Sequence, residues 1–518
     1  MGHHAAQASH AETNWFQATR DRLRNRPESR DAHRDTVPTA HIDTKTFDGD
    51  DLCPRGRVPQ PHKKKKINWF QATLILIAET VSLGILSLPA SMADMGLVAG
   101  TLVILAFGLI TLSTGFMLYH FRQRYPHVHG FGDAGYVVAG PTGAVVAESL
   151  FQILLVFVAA AHILTFSVMA RTVAGDGWKC TVVFKAVGFV VCVVCSLPRT
   201  FHSNSYLSGL SCVSILTATL IAMIDIAIEG EGLGTAVIAG RVDVVTADWM
   251  MSLSNILVSF TGHLAYFQVM AEMEQPRDFR KSLIATNAFM SSLYLVVSIV
   301  IYDFAGTAVG SPALSAASPL FAKIAYGIAT PTIVVAGVIA GLLACKRIHD
   351  WFWRLYRREP NVVDESSCRA WSSWLGIVLT VYGLAFVLAN VIPYFSPLLA
   401  LIGAISATWI CLGFPAMYCM YMCHHGFGAT VPEVDGKGDD VTRWKSRQLM
   451  AGERDSPWWR TFTFPQSAGR PTQLLWVASV LIFVLAWLMV GFGAYGSIKS
   501  MITQSIAGYS PFSCKADP

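Results

Sequence analysis

The chain has 518 residues, of which 53% are hydrophobic and only 14% charged, and its mean hydropathy is +0.46. A soluble domain carries about 25% charged residues. So few charges cannot cover a water-facing surface of this size, which excludes a string of soluble domains. A disordered chain would be far more polar, and 11 Cys in such a length are too sparse for a disulfide scaffold. The net charge of +5 matters less than where the charges lie.

Residues 1–66 hold 13 of the 39 Lys and Arg, six of the 15 His and no apolar run. They read as a disordered, water-exposed cytoplasmic tail. Without an apolar core segment the tail is not a cleavable signal peptide. It ends in the run Lys63–Lys66, which reads first as a cytoplasmic topology anchor, with anionic lipid binding as the sharper alternative. The hexapeptide Asn14–Thr19 recurs as Asn68–Thr73, but no repeat architecture has this form, and the first copy is given no role.

A membrane span needs about 20 mainly apolar residues. Eleven such segments follow, at roughly 68–92, 96–119, 145–170, 181–198, 205–228, 249–271, 282–305, 319–344, 372–394, 397–421 and 473–495. Between the ninth and tenth, at Pro393 to Pro397, one long kinked helix is the alternative. With the tail inside, 32 of the 39 basic residues fall on the inner side and 7 on the outer, as the positive-inside rule requires. A different number of spans would scramble that alternation. The expected organisation is therefore an all-α integral membrane protein of about eleven transmembrane helices. A transporter-sized domain would cover 67–496, with a cytoplasmic loop at 422–472 and a short extracytoplasmic tail at 497–518.

Smaller features fit. Trp351–Arg358 mixes aromatic and basic residues and suits a short amphipathic helix on the inner surface. Cys192 and Cys195 form a lone CxxC in an apolar helix, which argues against a metal or redox site. Cys180 and Cys514 both fall on the outer side and could pair.

Enzyme signatures are missing: there is no Walker A, HExxH, GxSxG or strand-linked GxGxxG. The loops are too short for a catalytic domain, and no span carries the regular Arg of a voltage sensor. Nothing suggests nucleic acid, a bound metal or an organic cofactor. Charged or titratable residues inside spans mark ion or substrate paths. Glu79 lies in span one, His263 in span six, and Glu148, Asp225 and His162 in spans three and five; structural roles are favoured for the last three.

Span one continues from Glu79 into Ser82–Pro89, where Gly84 and Pro89 weaken a helix. Span six has a matching interruption at Ser259-Phe260-Thr261-Gly262-His263. A broken helix exposes carbonyls and amides at mid-membrane, where they can hold the charged groups of a zwitterion. Spans one and six are equivalent positions in a five-plus-five inverted repeat. Glu79 is the sharper proton carrier, since a carboxyl held out of water can load and release a proton. His263 could accept or relay one.

The stretch Ile77–Pro89, with GILSLP at Gly84–Pro89, resembles the amino acid/auxin permease family, and most closely its fungal neutral amino acid permeases. Arg124–His129, Asp133–Gly135, Phe260–His263 and Glu272–Phe279 add to the resemblance, which covers about 63–500. It implies the five-plus-five inverted-repeat fold with an eleventh helix and secondary active import of amino acids. It places the substrate backbone near Val81, Ser82, Leu83, Gly84 and Ile85 of span one, and near Ser259, Phe260 and Gly262 of span six. Many members have Gly where this chain has Ser82. The sodium-coupled branch usually has Asn where this chain has Ala78, which offers no side-chain oxygen to Na⁺.

The expected function is proton symport of neutral aliphatic or aromatic amino acids by alternating access, at the plasma membrane with the N-terminus cytoplasmic. A sodium-coupled transporter, a vacuolar transporter and an amino acid-sensing membrane receptor are the alternatives. The sequence is silent on oligomeric state.

Overall fold

The computed structural model describes residues 67–81, 83–175, 180–198, 204–229, 236, 246–357, 368–426, 458–466, 468–506, 512 and 514. The tail at 1–66, most of the loop at 422–472 and Ser82 lie outside them. Among the described residues every extended element is a helix, and β-pairing is confined to one isolated parallel bridge between Ile67 and Met273.

Span one is two helices, α1 (Trp69–Val81) and α2 (Gly84–Met95), bent by 54°. α3 (Leu97–Arg124), α4 (Phe131–Ala174), α5 (Thr181–Ser196) and α6 (Asn204–Glu229) follow. Span six is again divided, into α7 (Thr246–Ser259) and α8 (His263–Glu272). Then come α9 (Phe279–Ala305), α10 (Pro319–Arg357), α11 (Cys368–Val391), α12 (Phe395–His425) and α13 (Arg470–Ile506).

A helix or broken helix thus lies over each of the eleven expected segments. Among the described residues eight helices are long and apolar enough to cross a membrane, or nine with the bent pair α1–α2. α5 is apolar but has only 16 residues, and α7 and α8 are short because span six is broken.

Several ends differ from expectation. α4 starts at Phe131 rather than near 145 and kinks at Ala139–Gly140. The cause is Pro141, which lacks the N–H for the ladder and crowds the preceding turn. α10 runs through the expected amphipathic segment as far as Arg357, because nothing between Cys345 and Trp351 breaks a helix. α13 continues past 496 to Ile506. α11 and α12 are separate helices, parted at Ile392–Tyr394 around Pro393, so the single kinked helix does not form.

The outward faces are apolar. Leu474, Leu481 and Leu488 on α13, seven residues apart, are exposed, as are Val98, Leu102, Leu105 and Leu109 on α3. This reverses the pattern of a soluble helix and suits lipid. Inside, α4 packs against α5, α10 and α11. α9 packs against α1, α2 and α3, while α7 lies between α2, α12 and α13. The two broken spans are therefore enclosed by continuous helices. Cys180, ahead of α5, is joined by a disulfide to Cys514 beyond α13.

Candidate functional site

A helix ends by leaving its last four carbonyls without partners from its own ladder. α1 ends at Val81 and α7 at Ser259, and the two ends come together. Gly84 shows how closely: a Cβ there would lie 2.5 Å from the Cα of Ser259. Only a residue without a side chain fits that approach. Gly262 plays the same part on the other side, since its Cβ would come within 2.7 Å of Thr80 Oγ1. Both interruptions thus carry a glycine that the other interruption demands.

A cavity opens beside this junction. Span one contributes Glu79, Thr80, Leu83 and Gly84. Span six contributes Val258, Thr261 and Leu264. α4 supplies Leu154, Val158, Ala161 and His162, and α12 closes the chamber with Leu399 and Ile402. The walls are mostly apolar. The polar groups are one carboxyl, one imidazole, two threonine hydroxyls and the nearby helix ends.

The expected site residues divide into three sets. Glu79, Leu83 and Gly84 line the cavity. Val81, Ile85, Ser259, Phe260 and Gly262 form the packed shell behind it: Val81 and Ile85 are fully buried, Ser259 Oγ donates to the Asn255 carbonyl at 2.9 Å, and Phe260 meets Tyr294 edge-on at 5.1 Å. Ser82 lies outside the described residues. His263 is fully buried but is not part of the lining; its Nε2 is 2.9 Å from Thr114 Oγ1 of α3, and its ring lies 4.7 Å from that of Tyr266.

The sequence favours a structural role for His162, yet the residue lines the same chamber as Glu79. The signal was a lone imidazole in the apolar run Leu154–Leu164. Gly337 of α10 makes room for it: a Cβ there would come within 2.7 Å of His162 Cβ.

The other intramembrane carboxylates hold the scaffold together. Glu148 pairs with Arg347 at 3.1 Å, tying α4 to α10, and Arg347 also lies 5.1 Å from the Phe151 ring centre. Asp225 accepts hydrogen bonds from the Ser318 backbone at 2.6 Å and its hydroxyl at 3.0 Å, so it caps α10 from the end of α6. Among the described residues no group of three His, Cys, Asp or Glu could hold a metal ion.

Residues 65–430 match the family model described as transmembrane amino acid transporter protein. The "N amino acid transport system protein" of Neurospora crassa is 31% identical over 76% of this chain and 83% of its own length. A "transmembrane transporter" of Gibberella moniliformis is 27% identical over 69% of this chain and 76% of its own. The "amino acid transporter AVT1E" of Arabidopsis thaliana is 23% identical over 71% and 69%.

Proposed function

The chain belongs to the transmembrane amino acid transporter family, the amino acid/auxin permeases, and from that premise we propose that it imports neutral amino acids by proton symport. It is an integral membrane transporter and not an enzyme. One observation carries the finer reading: Glu79 faces a mostly apolar cavity at the junction of two broken spans. Apolar walls accept an uncharged side chain and penalise a charged one, which would leave water without a partner. The carbonyl ends of α1 and α7 suit the substrate's ammonium group, and the amide end of α2, at Leu83 and Gly84, suits its carboxylate. Glu79 is the acidic group of the chamber and carries the coupled proton, with His162 beside the same space and His263 behind it.

The eleven-span, five-plus-five arrangement follows from the same reading. The breaks fall in spans one and six, which such a repeat makes equivalent. Access alternates as the broken spans rock against the scaffold of α4, α5, α10 and α11. The N-terminus is cytoplasmic and the membrane is the plasma membrane. The disulfide supports this orientation, since Cys180 and Cys514 both fall on the side that the basic residues leave as outer. Disulfides persist on the oxidising side of a membrane.

The test is uptake of labelled leucine and phenylalanine in a transport-deficient yeast, at acidic and near-neutral pH, with and without Na⁺. Uptake stimulated by acid and indifferent to Na⁺ supports the proposal. A Na⁺ requirement at constant pH overturns the proton assignment. Binding without accumulation points to the receptor alternative.

A further inference from the structure

Tyr294 of α9 reaches the place where the two broken spans meet. Its side chain is fully buried. Its hydroxyl lies 2.6 Å from the Ser259 carbonyl oxygen and 3.2 Å from the Thr80 carbonyl oxygen. Thr80 is in the last turn of α1 and Ser259 is the last residue of α7, so both carbonyls belong to helix C-termini. Thr80 lines the cavity, and Val258, next to Ser259, does too. The ring is fixed from the side by Phe260, edge-on at 5.1 Å.

One phenol has one proton, so it donates fully to one carbonyl at a time. Each carbonyl oxygen has two lone pairs and keeps room for a further donor. Two helix C-termini also bring together two partial negative charges, which a neutral phenol does not offset and an ammonium does. Tyr294 therefore holds two acceptors together without saturating them.

We propose that Tyr294 is a positioning residue: its hydroxyl pins the carbonyls of Thr80 and Ser259 into one converging pair that receives the α-ammonium group of the transported amino acid. This rests on the transporter reading above and adds the residue that sets its preference for an amine. The hydroxyl also ties both halves of the junction to α9, so the pair forms only when α1 and α7 approach α9 together.

The experiment compares leucine with isocaproate, which is leucine without its amino group, as competitors of labelled leucine uptake by the full-length protein. Tyr294→Phe keeps the ring and its contact with Phe260 and removes only the hydroxyl. The wild type is expected to prefer leucine strongly. Tyr294→Phe is expected to raise the KM for leucine and shrink that preference about tenfold, the worth of one well-placed hydrogen bond. A variant that keeps the full preference overturns the proposal. So does one that weakens both ligands equally, because that marks a merely structural role. If Tyr294→Phe does not reach the membrane, 3-fluorotyrosine at the same position keeps ring and hydroxyl and makes a stronger donor. The preference must then rise, and an unchanged ratio overturns the proposal. A wild type that takes up no amino acid sinks the transporter reading itself, and this inference with it.

Discussion

Glu79 and His162 reach one chamber from different spans, whereas His263 turns away from it to bond Thr114. Substitutions should separate the two situations. Glu79→Gln keeps the shape of the side chain and removes the titratable proton. Uptake by this variant is expected to lose its stimulation by acid, read as equal initial rates across the pH range. His162→Gln is expected to change the KM for leucine, because the ring forms part of the wall. His263→Leu removes one partner of the Thr114 hydroxyl, which keeps its 3.1 Å bond to the Thr111 carbonyl, a loss of about 0.5–1.5 kcal/mol. It should lower the melting midpoint of the purified protein, measured by loss of monodisperse material on heating. Sequence made Glu79 and the two interruptions legible, because a carboxylate, two glycines and a proline are conspicuous in apolar spans. It could not rank the two histidines. Each is a lone imidazole in an apolar run, and only the rotation of its helix decides which faces the cavity. Tyr294 was invisible for a related reason: a tyrosine in a span is ordinary until its hydroxyl is seen between two carbonyls.

Helix breaks are the elements on which this molecule turns. Gly84 sits against Ser259 and Gly262 against Thr80, so a side chain at either position forces backbones apart. Gly84→Val is expected to abolish uptake and to cost about 1–3 kcal/mol or more by overpacking. Surface expression and melting midpoint would check it; a well-expressed, fully active variant would show that the two breaks need not touch. The turn between α3 and α4 offers a pH-dependent case outside the membrane-spanning segments. Burial, opposed by Asp133 and reinforced by Arg122, holds His127 and His129 below the usual imidazole range. A His with a lowered native pKa favours the fold fully above its unfolded value near 6.5. That contribution is lost as pH falls from there through the lowered native value. Both rings keep solvent contact, so the effect is modest. The melting midpoint should fall below about pH 6.5 and fall less in His127→Gln/His129→Gln. The positions of the helices were legible because apolar length and charge alternation both mark them. Their ends were not: α4 begins well before its apolar run, and α10 runs through a basic, aromatic stretch that nothing interrupts.

At the scale of the whole molecule, orientation and closure are linked. The disulfide between Cys180 and Cys514 binds the segment before α5 to the end of the chain beyond α13. A membrane-impermeant maleimide applied to intact cells is expected to label this pair only after an impermeant reductant has been added outside. Labelling that requires permeabilisation would reverse the assigned orientation. Farther along the molecule, at the ends of α1 and α8 remote from the break, Ile67 N–H donates to the Glu272 carbonyl at 3.0 Å and Glu274 N–H donates to the Ile67 carbonyl at 2.9 Å. Ser282 adds a hydroxyl bond from α9 to the Trp69 carbonyl at 2.7 Å. These bonds make a splice. The foot of one broken span and the foot of the other are stitched by main chain, the one part of a protein that substitution leaves in place. A hinge at each break would ordinarily let two short helices swing on their own. Spliced at their feet, α1 and the end of α8 share two main-chain hydrogen bonds, which a separate swing of either would have to break. The tie between these feet thus rests on the backbone, and side chains are left to shape the cavity at the other end of α1.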